Sequence, residues 1–216
     1  MKPFKLSQRG WIFAAAAFLV SVPVFFEAPL VRQWPWLACA LTGGWLWLGK
    51  MLLSRPGTRV WGDLLIGFTG SWFAGAVYWG WLRWEPLLHL PVEAVPLPLA
   101  LWCLWRRKLQ VGSWFYLGSL FGTAVTDLYF YLVDLIPHWR QLMQVEPELA
   151  VPILQSAIAR VHTPWGATWA IALAMLLLGM GIVSLRCTKL HAWGFSGALL
   201  STILVDGLFW LAALAA

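Results

Sequence analysis

Nine carboxylates are spread through 216 residues of which 61% are hydrophobic and only 11% charged, and several of them fall inside long apolar runs. A charged side chain at the centre of a bilayer costs about 2.5 to 3.5 kcal/mol on insertion scales, so each one calls for a chemical reason. Asp127 lies sixteen residues beyond Val111 and Asp206 fourteen beyond Ala192, while Glu93 lies six beyond Leu87 on a run that crosses in the opposite sense. At about 1.5 Å rise per residue, the three reach comparable depth in the outer half of a membrane. Asp134, seven residues after Asp127, shares its helical face nearer the outer surface. Glu93, Asp127, Asp134 and Asp206 therefore form a candidate intramembrane polar site, suited to a proton, a cation or the basic group of a partner. No Lys or Arg lies at that depth, so protonation or hydrogen bonds to Thr126, Tyr129, Ser201 or Thr202 would have to stabilise them. The alternative is that each acid is a neutral structural group, or reaches headgroup water. Glu27 and Asp63 fall at the ends of apolar runs and carry no such expectation.

Other reactive residue types point to less. His89, His138, His162 and His191 are of a type that ligates chlorophyll magnesium or haem iron, but only His89 enters an apolar run, near its outer end, and it is the one candidate pigment ligand. Chlorophyll and carotenoid are thus the cofactors to test. Of 18 tryptophans, Trp45, Trp47, Trp72 and Trp210 fall well inside runs; the rest lie near run ends, as in an interfacial aromatic belt. Cys39, Cys103 and Cys187 form no C-x-x-C and encode neither a disulfide framework nor a zinc site. No Walker loop, dinucleotide fingerprint, H-E-x-x-H or G-x-S-x-G is present, so the expectation is a protein that is not an enzyme.

The elements that must position these residues are membrane spans. Soluble domains carry about 25% charged residues, and the mean hydropathy of +0.73 points the same way. Seven runs approach the roughly 20 apolar residues needed to cross the hydrocarbon core: 11 to 26, 34 to 53, 61 to 82, 87 to 105, 111 to 136, 166 to 185 and 192 to 214. The fourth is interrupted by Pro91, Pro96 and Pro98. With all seven crossing, Lys2, Lys5, Arg9, Lys50, Arg55, Arg59, Arg106, Arg107, Lys108, Arg186 and Lys189 share one side, and only Arg32, Arg83, Arg140 and Arg160 lie on the other. That bias predicts an all-α bundle of seven spans, N-terminus in the cytoplasm and C-terminus outside. Lys2, Lys5 and Arg9 before an apolar run imitate a signal peptide, but no A-x-A-like site follows, so a retained first span is expected.

The chain reads as one transmembrane domain. Its largest extramembrane piece is an outer segment over 137–165, where Ile153, Leu154, Ala157, Ile158 and Val161 share one helical face opposite Gln155, Ser156, Arg160 and His162. That pattern predicts an amphipathic helix on the outer membrane surface, or a docking helix for a partner. Gly118, Gly122 and Thr126, and likewise Gly67, Ser71 and Gly75, recur every four residues. Such stripes let helices approach closely, within the bundle or against another membrane protein.

Two segments, RGWIFAAAAFLVSVPVFFEAPLVRQWPW from Arg9 to Trp36 and GTAVTDLYFYLVDLIPHWR from Gly122 to Arg140, resemble an uncharacterised cyanobacterial family of integral-membrane proteins, a domain of unknown function. The resemblance covers essentially the whole chain and implies an oxygenic phototroph, with a thylakoid or plasma membrane as the location. It further implies a non-enzymatic accessory or assembly factor for photosynthetic membrane complexes, with photosystem subunits as partners and no nucleic acid. The residues themselves support an alternative, a small secondary transporter or a proton- or cation-coupled channel built on the intramembrane carboxylates.

Overall fold

A computed structural model describes residues 7–146 and 149–215; Lys2 and Lys5 of the basic bias lie outside them. All regular structure among these residues is helical. In chain order the helices are α1 (Gln8–Gln33), α2 (Pro35–Leu53), α3 (Arg59–Val77), α4 (His89–Glu93), α5 (Leu97–Trp105), α6 (Gln110–Leu132), α7 (Ile136–Leu142), α8 (Ala150–Val161), α9 (Pro164–Leu185) and α10 (Leu190–Ala215). Among the described residues, α1, α2, the Pro86–Trp105 stretch, α9 and α10 are long and apolar enough to cross a membrane, and α6 with α7 makes a sixth if that pair, bent by 101°, counts as one span. These helices are compatible with an integral membrane protein in lipid.

Three boundaries differ from the apolar runs. Helix α1 passes through Pro23 and Pro29 and ends at Gln33, so Glu27 lies inside it rather than at its end. In an apolar setting a proline forfeits one backbone hydrogen bond, whereas ending the helix would strand several. Helix α6 stops at Leu132, and the chain turns sharply through Asp134, whose φ of 59° is left-handed. Asp134 is therefore off the helix that was expected to carry it alongside Asp127.

The third is the proline-rich stretch, which breaks as its prolines demand. Pro96 has no N–H, and the amide of Leu97 bonds Ala94 O rather than Glu93 O. The freed Glu93 carbonyl accepts a hydrogen bond from the Tyr116 hydroxyl at 2.7 Å. The break packs against α3 where Gly70 leaves room, since a Cβ there would stand 3.3 Å from Pro96.

Helices α3 and α6 form the interior, flanked by α1, α2 and α10. Their backbones meet at Gly67 and Gly112, and a methyl group on either glycine would overlap the other helix's main chain. Asp63 locks the crossing. Helix α6 starts after Leu109, at φ 47°, which offers no capping side chain, and its free amides need an acceptor. Asp63 on α3 supplies one, taking hydrogen bonds from Gly112 N at 2.8 Å and Val111 N at 3.1 Å. The stripe on α6 faces α10: Gly118 meets the backbone of Phe195, and Gly122 meets Thr202. The stripe on α3 divides, with Gly67 toward α6 and Gly75 toward Glu27 of α1, while the Ser71 hydroxyl is buried without a partner among the described residues.

The substitution Gly67→Ala should lower stability in detergent by about 1 to 3 kcal/mol, the usual cost of overpacking, measured as a drop in the midpoint of thermal unfolding. Gly44→Ala, at a position with nothing within 4 Å, should leave the midpoint unchanged; equal behaviour of the two would contradict the crossing.

Candidate functional site

At the end of the bundle away from Asp63, four helices, α1, α4, α6 and α10, deliver acids and one imidazole to a common interior cluster. His89 opens α4, and its Nδ1 stands 2.9 Å from Asp127 Oδ1 on α6, with side chains 21% and 26% exposed. One proton is shared on that line, donated either by Nδ1 to a carboxylate or by the carboxyl to a bare nitrogen. The ring is clamped by Tyr78, with centroids 4.3 Å apart, and by Trp79 at 6.3 Å. Tyr78 and Trp79 belong to a wider, i→i+5 turn that ends α3 (Tyr78–Leu82), a local widening found mostly at functional positions. Trp79 leans on Trp139 of α7, whose indole N–H donates to Arg83 O at 2.7 Å.

Glu93 stands one turn beyond His89, buried, within reach of the charges of His89 and Asp127. Glu27 of α1 is buried too, its carboxylate oxygens 3.4 Å from where a Cβ on Gly75 would be, and it lies within range of Glu93's charge. Asp206 of α10 accepts a hydrogen bond from the Thr126 hydroxyl at 2.8 Å, which holds it close to Asp127. Glu27 Oε1 and Asp127 Oδ2 are buried without a hydrogen-bond partner among the described residues. A buried carboxylate with an unused oxygen favours either protonation or a bound cation.

Of the acids expected to gather, Glu93, Asp127 and Asp206 belong to this cluster. Asp134 does not: it is exposed and pairs with Arg160 at 3.4 Å, because the helix has already ended. Among the expected hydroxyl partners Thr126 serves an acid, while Ser201 donates to Ala198 O within its own helix and Tyr129 reaches Gly166 O on α9. Sequence reasoning left out two members. His89, considered as a pigment ligand, is the basic partner that Asp127 was expected to lack; with Nδ1 engaged, Nε2 is the ring nitrogen left for any ligand. Its spacing of four from Glu93 puts both on one helical face and was the available signal. Glu27 was discounted because its run was closed at Phe26, although Ala28-Pro29-Leu30-Val31 resumes the apolar pattern. Among the described residues no three His, Cys, Asp or Glu side chains stand in a metal-holding arrangement.

The segment between α6 and α9 covers this end. In α8 the apolar face of Ile153, Leu154, Ala157, Ile158 and Val161 is half-buried, while Gln155, Ser156, Arg160 and His162 are exposed. Helix α8 packs on α7, α9 and α10, which accounts for the partial burial of its apolar face. Polar latches hold the segment down. Arg140 meets both carboxylate oxygens of Glu85 at 2.7 and 3.0 Å, and the Trp165 indole donates to Leu132 O at 2.8 Å. A cavity of about 460 Å³, bordered by Pro29, Arg32, Trp79, Arg83 and Met143, lies beside the cluster between α1 and this segment.

A family model described as "Protein of unknown function (DUF3120)" matches residues 16–214, and the chain belongs to that family. No curated protein and no solved structure matches it.

The hydrogen bond from Arg140 holds the Glu85 carboxyl below the ordinary carboxylate range. A depressed value means that the latch contributes fully above the ordinary range and is lost as the pH falls through the lowered value. Amide hydrogen exchange in α7 should therefore accelerate only in that acid window for the wild type. In Glu85→Gln it should already be fast at neutral pH; unchanged exchange in the variant would refute the latch.

Proposed function

We propose that the chain is a seven-span membrane protein, N-terminus cytoplasmic, that binds and passes protons or small cations at the cluster of Glu27, His89, Glu93, Asp127 and Asp206. The observation that carries this reading is four acids and a histidine from four helices, with two carboxylate oxygens left unpartnered in the interior among the described residues. Structural acids are normally fully satisfied, so a buried carboxylate with spare acceptor capacity suits a group that exchanges a proton or cation. The proline break supports it as well. A discontinuous helix beside an ion site is a recurrent transporter device, and here the break lies immediately after Glu93. The cavity lined by Pro29 and Trp79 offers access from the nearer end, with α7 and α8 as its cover.

Seven spans follow when α3 and α6 are counted. Both are less apolar than the five that meet the length-and-apolarity criterion, but both are the most enclosed by neighbours, and a helix shielded from lipid need not be uniformly apolar. The basic bias then sets the sidedness, and the cluster lies toward the outer face. The cyanobacterial thylakoid or plasma membrane remains the setting that the resemblance implies.

A second reading, a non-enzymatic accessory or assembly factor docked on photosynthetic complexes, is favoured by α2. Only Ala38 and Gly49 of that helix are buried, nothing lies within 4 Å of Gly43 or Gly44, and Trp47 is 66% exposed. Such a smooth outward face suits a neighbouring transmembrane helix.

Proteoliposomes with an internal pH indicator and an imposed potential separate the two. Wild-type protein should acidify or alkalinise the lumen, and Asp127→Asn with Glu93→Gln should cut that flux at least about tenfold, as expected when a site loses a required charge. Flux equal to that of empty liposomes in the wild type, or undiminished in the double variant, would sink the transport reading. The accessory reading then requires chlorophyll proteins to co-purify with the tagged chain in mild detergent, in amounts lost on Gly44→Leu.

Orientation has a native reporter, since Cys187 is exposed in the α9–α10 turn, whereas Cys103 is buried and Cys39 half-buried. An impermeant maleimide should label Cys187 in inside-out vesicles and spare it in right-side-out ones; the reverse pattern would invert the topology.

A further inference from the structure

The opposite end of the bundle carries a second site of opposite charge. A cavity of about 830 Å³ opens there, with Arg59, Arg107, Lys108, Lys189, Thr188 and Asp63 on its walls. The four basic residues come from three separate places, the first residue of α3 and the turns before α6 and α10, so no one loop creates the concentration of charge. The turn before α6 reaches in through two left-handed residues, Arg107 at φ 54° and Leu109 at φ 47°.

The charge balance inside this cavity is uneven. Asp63 is its one acid, and both of its oxygens are occupied by the amides of Val111 and Gly112. Among the described residues none of Arg59, Arg107, Lys108 or Lys189 takes part in an ion pair. Arg9 and Arg106, near the same end, instead lie over tryptophan rings. Four like charges facing one concavity repel each other and leave a field that a bound anion relieves. The Thr188 hydroxyl adds a neutral donor.

We propose that this cavity binds a phosphate-bearing anion, held by Arg59, Arg107, Lys108 and Lys189. Arginine pairs with phosphate oxygens in bidentate fashion and lysine as a point charge. Basic pockets between transmembrane helices on the cytoplasmic side are where anionic headgroups sit. Leu53, Val60 and Leu190 add apolar wall, and Gln110 and His191 line the cavity as well, which suits a phosphodiester headgroup with its glycerol and upper acyl carbons. A general excess of basic residues on one side explains their sidedness but not their convergence in one cavity. This site does not depend on the carboxylate cluster and stands whether or not the protein moves ions.

The test uses full-length protein, delipidated in detergent and titrated with phosphatidylglycerol, phosphatidylcholine or inorganic phosphate, with bound ligand counted by native mass spectrometry. Wild-type protein should retain one phosphatidylglycerol saturably over phosphatidylcholine. Neutralising the cavity with Arg59→Gln, Lys108→Gln and Lys189→Gln together should weaken retention at least about tenfold, given the contribution of each basic group near an anionic surface. The control Arg55→Gln with Arg186→Gln, which removes charge at the same end but outside the cavity, should leave retention within about twofold. Displacement of the lipid by millimolar inorganic phosphate would identify free phosphate as a second source of the same anion, and its failure would assign the site to lipid. Equal losses in cavity and control variants would reduce the site to diffuse surface attraction and overturn the proposal, as would equal retention of phosphatidylcholine. If the triple variant does not elute as a folded species, Lys189→Gln alone should still weaken retention measurably, and no loss in it would overturn the proposal in the same way.

Discussion

The contact on which the rest of the molecule depends is the crossing of α3 and α6 at Gly67 and Gly112. Two helices whose backbones touch have no slack in register, because sliding either one drives a side chain into the other's main chain. Asp63 adds direction to that contact by accepting the first amides of α6 and so defines where α6 begins. Everything further along α6 inherits this origin. Tyr116 arrives opposite the freed carbonyl of Glu93, Thr126 opposite Asp206, and Asp127 opposite His89. An acid dismissed as a span-end residue is thus the anchor for the level at which the interior acids meet.

Charge is separated along the bundle, and the separation has a physical logic at each end. Toward the Asp127 end three cations are paired, Arg140 with Glu85, Arg160 with Asp134 and His89 with Asp127, while Arg32 and Arg83 border the smaller cavity. There two buried carboxylate oxygens, on Glu27 and Asp127, have no hydrogen-bond partner among the described residues. Toward the Asp63 end the acid is spent on backbone amides and the cations are left over. Desolvated carboxylates gain from a proton or cation, and convergent guanidinium and ammonium groups gain from an anion. One protein therefore presents two electrostatic demands of opposite sign about a bundle length apart, joined by the rigid pair α3 and α6.

The break after Glu93 shows how apolar surroundings shape the backbone. Three prolines in eight residues cannot sustain an α-helix, yet a carbonyl released in a dry interior must find a donor. Tyr116 is that donor, and Gly70 makes the space for Pro96. The segment between α6 and α9 is tied down by hydrogen bonds as well. Helix α8 packs on its neighbours, and the chain on either side of it is held by the hydrogen bonds of Arg140 and Trp165.

Much of this was legible from residue order. Apolar runs near the length of a bilayer dictate long helices, because backbone amides away from water must bond within their own segment. Proline positions locate the broken helix, and helical rise places Glu93, Asp127 and Asp206 at one level. The family match extends over the same residues that carry these features. What the one-dimensional pattern could not decide was partnership, since rise per residue gives depth but not azimuth around a bundle. His89 met Asp127 because an aromatic clamp of Tyr78 and Trp79 turned its ring inward. Glu27 joined the acids because α1 outran its proline, and Asp134 left them because α6 ended two residues too soon. Depth is set by local geometry and therefore by the sequence alone; which side chains face one another is set by the rotation of packed helices, and only the tertiary structure supplies it.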